Sequence, residues 1–499
     1  MESITEPEDL DIPAISRIAA GAGVTLDTGL RDRMRTHRAT VLDALTSGDT
    51  PVYGVNTGMG RLAQRRLTLE EQAGHQAHLF TARAVGGPPW LPEADARAVL
   101  AVKLRTLVTQ ESGASPELAE YVAARLGDGF TPAIPREGNG SAGEIIPLCH
   151  AFQTFLGLGT VLEEGTEVPA AETLARRGVP PVRLGPKEGM TLLQGSPVAT
   201  AQAIMRGGEA GAALRLQVHA AAGTVAALGA PRGVYDPRLA GPDEVLGAML
   251  AAVRNLGAGG PVREDVVQAP VSVRVAPQAL AHAARTVDDL AAAADRTLAA
   301  VTDSPAFLDG GFVSTGAFHA VELGLRMDAV SAALIHLAEG SVQRLHRLLD
   351  ERFTGLPPQL AVDPGPQAGL ITTHKRAVGE LHALRGLAAP ATLGTIDTSG
   401  GQEDLQAFAG AAGERLRTVV HRLGTVTACE LIAAHQATAL READPPPALR
   451  DLYATVAQHV PLVTEDRSLG PEIERLATIL RTAPPQIGGK IFRRVGGSA

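Results

Sequence analysis

Apolar residues recur every three to four positions through 91–110, 197–230, 277–301, 319–350, 366–388 and 404–440. That spacing is the period of an α-helix and gathers the apolar side chains on one face. Several of these stretches exceed the usual length of a globular helix, so their faces need equally long partners, and a bundle of long helices supplies them. The stretch LPEADARAVLAVKLRTLVTQ at 91–110 also places acids in its first turn, where a helix N-terminus prefers them. Aromatic residues, which favour strands, are only 3% of the chain, and Ala runs recur. The expected class is mainly α.

By length alone, 499 residues leave room for roughly two to four domains. No polar linker or internal repeat divides the chain, however. The expectation is one interlocked helical fold over 1–499: an N-terminal site-bearing region at 1–195, a central long-helix bundle at 196–440 and a C-terminal helical region at 441–499. A net charge of −9 disfavours nucleic acid, which needs a basic face. The two cysteines, Cys149 and Cys429, have no metal-like or redox-like neighbours, which fits a reducing compartment. The acidic start MESITEPEDLDIP is no secretory signal, and no uncharged apolar run approaches a membrane span. A cytoplasmic location with no membrane partner is expected.

The connections carry more paired Gly and polar residues than a helix connection needs: YGVNTGMG (53–60), LFTARAVGG (79–87), GNGSAGEIIPL (138–148), GPKEGMTLLQGS (185–196), QAPVSVRVAPQ (268–278), GAFH (316–319) and GQED (401–404). Small residues packed so tightly mean a backbone that bends sharply or passes close to something. PKEG at 186–189 lacks the spacing of a phosphate loop. His75, His78, His150 and His319 show no helical pairing with carboxylates, so no metal is expected. The run PLCHAFQTFLGLGTVLEE after Ile146 reads as one buried helix.

In this order the segments resemble the histidine, phenylalanine and tyrosine ammonia-lyases and the related aminomutases, over nearly the whole chain. The resemblance implies a long-helix bundle of the aromatic amino acid ammonia-lyase type. It also implies a homotetramer whose active sites lie between subunits, with helix N-termini pointing at them. That family builds an electrophile, methylidene-imidazolone (MIO), from a G-[AST]-S-G-D-L-x-P-L stretch. The central Ser loses water and the following Gly amide closes the ring. The aligned residues here are Gly140, Ser141, Ala142, Gly143, Glu144, Ile145, Ile146, Pro147 and Leu148, with Ala142 where the β-hydroxyl is needed. Alanine has no leaving group, so the cofactor is expected to be absent. Ring closure shifted onto Ser141 would put Ala142 in the attacking position, where its Cβ crowds the geometry glycine permits. Met59, Gln194, Val271 and Ala317 stand where the family has Phe, Asn, Tyr and Asn. Several altered positions in one pocket favour natural remodelling over a single inactivating Ser-to-Ala change.

The resemblance assigns Tyr53 as the general base, in a loop that includes Gly60, and Arg274 as the grip on a substrate carboxylate. A phenol titrates near pH 10 in water, so such a base needs help from its surroundings. A guanidinium suits a carboxylate by its bidentate fork. Arg83 replaces a selectivity residue and suits a second carboxylate, a phosphate or an oxygen-rich tail. Gln194, Gln278, Phe318, Gln402 and Glu403 complete the expected substrate-binding set. Bland readings stay open: Tyr53 as core filler, Arg274 in an ion pair with an acid such as Glu403, and Arg83 as a surface or interface arginine. The function expected is a cofactor-independent, ammonia-lyase-like enzyme. It would perform elimination, addition, isomerisation or cyclisation on a small carboxylate-bearing, amino-acid-derived substrate. The alternatives are an MIO-dependent ammonia-lyase or aminomutase seen as a Ser-to-Ala variant, a non-catalytic ligand-binding paralogue and a structural helical assembly.

Overall fold

The computed structural model describes residues 1–47 and 50–486, so 487–499 of the expected C-terminal helical region lie outside the described residues. The chain forms two compact units. The first comprises Met1–Met205, Ala291–Met327 and Ala391–Glu414. Its opening helices are α1 (Ile12–Ala19), α2 (Thr28–Ser47), α3 (Leu69–Thr81), α4 (Glu93–Leu107), α5 (Pro116–Gly127), α6 (Ile145–Gln153), α7 (Ala170–Arg176) and α8 (Glu188–Leu193). Then come α9 (Pro197–Ala227), α10 (Glu244–Leu256), α11 (Val271–Arg274), α12 (Ala276–Ala299), α13 (Val321–Leu348) and α14 (Glu351–Thr354). The last four are α15 (Ile371–Arg385), α16 (Ala409–Leu440), α17 (Arg450–His459) and α18 (Gly470–Thr482). The second unit takes Arg206–Leu290, Asp328–Pro390 and the chain from Arg415 onward.

The helix starts follow local chemistry. Thr68 and Glu71 form a reciprocal capping box at α3, Ser115 caps α5 just before Pro116, and Asp11 caps α1. In the first unit α4 packs against α1 and α5, while α3, α6 and α8 pack on one another. Three two-stranded ribbons complete that unit: parallel Glu2–Ile4 with Val24–Leu26, and antiparallel Thr160–Glu163 with Thr166–Pro169 and Ala306–Leu308 with Gly311–Val313. In the second unit a buried Glu430 on α16 accepts from Thr224, Ser341 and both Nε and Nη2 of Arg344.

The mainly helical class holds, and each of the six periodic stretches is a helix. Three details differ. The helix expected from 404 begins at Ala409, because the Gln406 side chain is buried in the preceding turn, bonding Thr395, Ile396 and Glu403, and Phe408 adopts a positive φ of 44°. The one expected from 366 begins at Ile371, after a turn in which Asp466 holds the amides of Ala368 and Gly369. The run after Ile146 is not one helix. It stops near Gln153, passes Gly157 and Gly159 at positive φ, and continues as a hairpin strand at Thr160–Glu163.

Candidate active site

The Tyr53 loop is closed by its own polar side chains. Asn56 Oδ1 accepts from the Val52 amide at 2.7 Å, its Nδ2 donates to Thr50 O at 3.0 Å, and Thr57 Oγ1 accepts from the Gly54 amide at 3.2 Å. Gln76 on α3 ties this loop to α8: its Nε2 donates to Gly54 O and its Oε1 accepts from the Met190 amide, both at 3.1 Å. Gly60, at φ +57°, turns its N–H onto Tyr53 Oη at 2.8 Å. The phenol oxygen is therefore an acceptor on its loop side, and its own proton is left to be directed elsewhere.

The 139–143 loop is equally closed. Ser141 Oγ lies 2.7 Å from Asn139 Oδ1 and 2.9 Å from Gly143 O, and Asn139 Nδ2 donates to the same carbonyl at 2.9 Å. The Ser141 hydroxyl, beside position 142, is thus engaged with its own loop. The Ala142 amide donates to Glu403 Oε2 at 2.8 Å, and Ser399 Oγ donates to Glu403 Oε1 at 3.0 Å. Ser399 in turn faces Gly60, where a Cβ would come within 3.7 Å of it. On the other side, a Cβ on Gly143 would meet the Phe318 ring at 3.3 Å. Tyr53, Gly60, Glu403, Ala142, Gly143 and Phe318 thus form one contiguous cluster in the first unit, joined through Ser399.

Beneath this cluster lies buried charge. Glu144 reaches across to the start of α9 and accepts from the amides of Val198 and Ala199 at 2.6 and 2.7 Å. Burial pushes its carboxyl up to about 7, against the opposing pull of those amides and Lys103. Lys103 is fully buried, donates to the carbonyls of Thr191 and Gln194, and is pushed down to about 8 by desolvation. Lys187 of the PKEG segment pairs with Asp303 at 2.6 Å and also bonds Ser112 O and Thr191 Oγ1. That segment is scaffold.

The remaining expected residues are placed less tightly. Gln194 ends α8 with its carbonyl held by Lys103, and its side chain has no hydrogen-bond partner among the described residues. Gln402 is exposed. Arg83, half-buried, donates to Leu79 O at 3.1 Å and has no ion pair among the described residues. Arg274 and Gln278 belong to the second unit. There Arg274 Nε donates to Ala269 O at 2.9 Å, with no carboxylate partner among the described residues of that unit, and Gln278 is exposed. Sequence reading missed Asn139, Ser399, Gln76 and Lys103. Asn139 was visible beside the glycine-rich stretch, but nothing in the sequence marks the other three. Among the described residues no group of His, Cys, Asp and Glu is arranged to hold a metal, and no helix is long and apolar enough to cross a membrane.

The fold and this cluster define the class of protein: residues 10–458 match the model of the family described as aromatic amino acid lyase, and the chain belongs to that family of lyases. Among its relatives, histidine ammonia-lyase of Streptomyces coelicolor is 33% identical over 485 residues, covering 94% of each chain. Histidine ammonia-lyase of Rhodospirillum rubrum is 31% identical, covering 95% of each. Of solved structures, tyrosine aminomutase from Streptomyces globisporus is 26% identical with a TM-score of 0.88 over 95% of both chains. Histidine ammonia-lyase from Trypanosoma cruzi, at 24% identity and TM-score 0.88 over 97% of this chain and 94% of that one, shares the fold.

Proposed function

We propose that this chain is an ammonia-lyase-family enzyme working without the MIO electrophile. In this reading it performs Tyr53-based proton abstraction on a small, carboxylate-bearing, amino-acid-derived substrate. The observation that carries this is the loop at 141–143. Ala142 offers no hydroxyl to expel, and the neighbouring Ser141 hydroxyl is bonded within its own loop. These residues do not suit the ring. Tyr53 is the acid/base, with the Gly60 N–H on its oxygen stabilising negative charge as the phenol gives up its proton. Arg274, assigned by its matching segment, and Arg83 anchor oxygen-rich groups of the substrate. Gln194, Gln278, Phe318, Gln402 and Glu403 shape the rest. Such a site suits a substrate already activated by its own carbonyl or conjugation, because without an electrophile an unactivated β-proton is too weakly acidic. The enzyme is read as a cytoplasmic homotetramer with shared sites.

Intact mass and an ultraviolet difference spectrum test the first part. The expected mass is that of the unmodified chain, with no added chromophore; a mass lower by two waters overturns the reading. Turnover of carboxylate-bearing amino-acid derivatives by wild type and Tyr53→Phe tests the second. The phenylalanine variant is expected to lose activity by about two orders of magnitude or more. Equal rates would remove Tyr53 from its role.

A further inference from the structure

We propose that the first unit carries a second binding site, for a small organic cation bearing a primary ammonium group. A cavity of about 300 Å³ lies among the N-terminal segment, α2, the last turn of α4, the start of α9 and the residues at the end of α12, and its lining includes none of Tyr53, Ala142, Phe318 or Glu403. This is large enough for a small molecule.

Two residues of its lining, Ser196 and His37, each carry a buried polar atom without a partner among the described residues. Ser196 precedes the first residue of α9, where a serine hydroxyl ordinarily accepts from an amide of the first helical turn. Glu144 already holds the amides of Val198 and Ala199. The Ser196 hydroxyl, on a residue 2% exposed, is therefore left without a hydrogen bond among the described residues. His37 on α2 lines the same cavity. Its ring meets Phe307 edge-on at 5.5 Å, and its buried Nε2 also has no partner. Buried polar atoms are rarely left so, and a ligand bearing N–H donors satisfies both.

Charge selects the class of ligand. Four carboxylates, Glu6, Glu8, Glu111 and Asp303, line the cavity against two cations, Arg33 and Arg105. Arg33 pairs with Glu6, and Asp303 holds Lys187. Arg105 commits its guanidinium to the carbonyls of Pro7, Leu10 and Leu298. Glu111 has no ion pair among the described residues. The C-terminal ends of α4 and α12 bring two negative helix poles to the wall, while the positive pole at the start of α9 is already taken up by the Glu144 carboxyl. An ammonium group is attracted by Glu111 and by the C-terminal ends of α4 and α12, and a carboxylate is repelled by them. Leu30, Met34 and Val102 give an attached alkyl chain an apolar wall.

Isothermal titration of the full-length protein with n-butylamine and with butyrate, similar in length and opposite in charge, tests this at neutral pH. Saturable binding of butylamine is expected; butyrate, which Arg83 and Arg274 would hold in the active site, is expected to bind no differently in Glu111→Gln or Ser196→Ala. Glu111→Gln and Ser196→Ala should each weaken butylamine binding by about tenfold, while Glu403→Gln, in the candidate active site, leaves it unchanged. The site is overturned by butyrate binding that Glu111→Gln or Ser196→Ala changes, by no binding of butylamine, or by butylamine binding unchanged in Glu111→Gln and Ser196→Ala. Loss in Glu403→Gln alone would place the amine in the active site and equally overturn it. Should Ser196→Ala fail to fold, as circular dichroism would show, the half-buried Glu111 decides. None of these outcomes depends on the role of Tyr53.

Discussion

The Tyr53 loop turns on two glycines that share a left-handed backbone and differ in their surroundings. Gly60, at φ +57°, has open space: an added Cβ would come no closer than 3.7 Å to another side chain. Its cost on becoming alanine is the backbone alone, about 1–2 kcal/mol. Gly54, at φ +66°, lies against Met190, whose sulfur an added Cβ would approach to 2.4 Å. Gly54→Ala therefore adds a clash inside a buried contact, typically about 1–3 kcal/mol more. Thermal unfolding should rank Gly54→Ala below Gly60→Ala. The two should also divide by effect: Gly60→Ala disturbs the N–H at Tyr53 and lowers activity more than its modest loss of stability explains. A Gly60→Ala protein melting lower than Gly54→Ala would contradict the packing described.

Among the elements, α9 shows what sequence can and cannot give. Its long apolar period over 197–230 announces the helix, and Pro197 suits its first position. Ser196 stands directly before it, yet the first-turn amides go to Glu144, a residue far away in the chain. No local pattern reports such a substitution, because it depends on how α6 and α9 meet. The pairing also has a pH signature. The Glu144 carboxyl, near 4.5 in the unfolded chain, sits at about 7 in the fold because burial outweighs the amides and Lys103. The folded state therefore binds the extra proton between those values, and stability falls as pH rises from about 4.5 to about 7. Lys103, pushed from 10.5 to about 8, acts in the opposite sense. There the unfolded chain binds more protons, and stability rises with pH above about 8. The contribution of these two groups is thus lowest between pH 7 and 8. Buried histidines such as His150, His219 and His435, held below their ordinary value by desolvation, pull the other way over this range. The signature is therefore read by difference: from pH 5 to pH 7 the urea midpoint of the wild type should fall relative to that of Glu144→Gln. Parallel midpoints in the two would mean that Glu144 does not carry it.

For the molecule as a whole, periodicity made the long helices legible, and ordered motifs made Tyr53, Ala142, Phe318 and Glu403 legible as one site. What stayed hidden are charged residues placed where the pattern asks for apolar ones. Lys103 sits within an Ala/Leu/Val helix, and Glu430 within CELIAAH, both wholly buried. Sequence shows such residues as interruptions of an apolar face and says nothing of their partners, which come from other helices. In the second unit Glu430 ties its own α16 to two of them, through Thr224 of α9 and through Ser341 and Arg344 of α13, with Gln217 bridging Arg344 to Thr427. The pair is almost dry, with side-chain exposure of 4% for Arg344 and 0% for Glu430. Removing one member leaves the other charge buried without its counterpart, a loss of about 3–5 kcal/mol, whereas removing both leaves no such charge. Arg344→Met should therefore lower the urea midpoint more than Arg344→Met combined with Glu430→Leu, in which the hydroxyls of Thr224 and Ser341 bear the remaining cost. A double variant weaker than the single would show that Glu430 is held chiefly by those hydroxyls, and that the arginine is dispensable to the packing of α9, α13 and α16 in that unit.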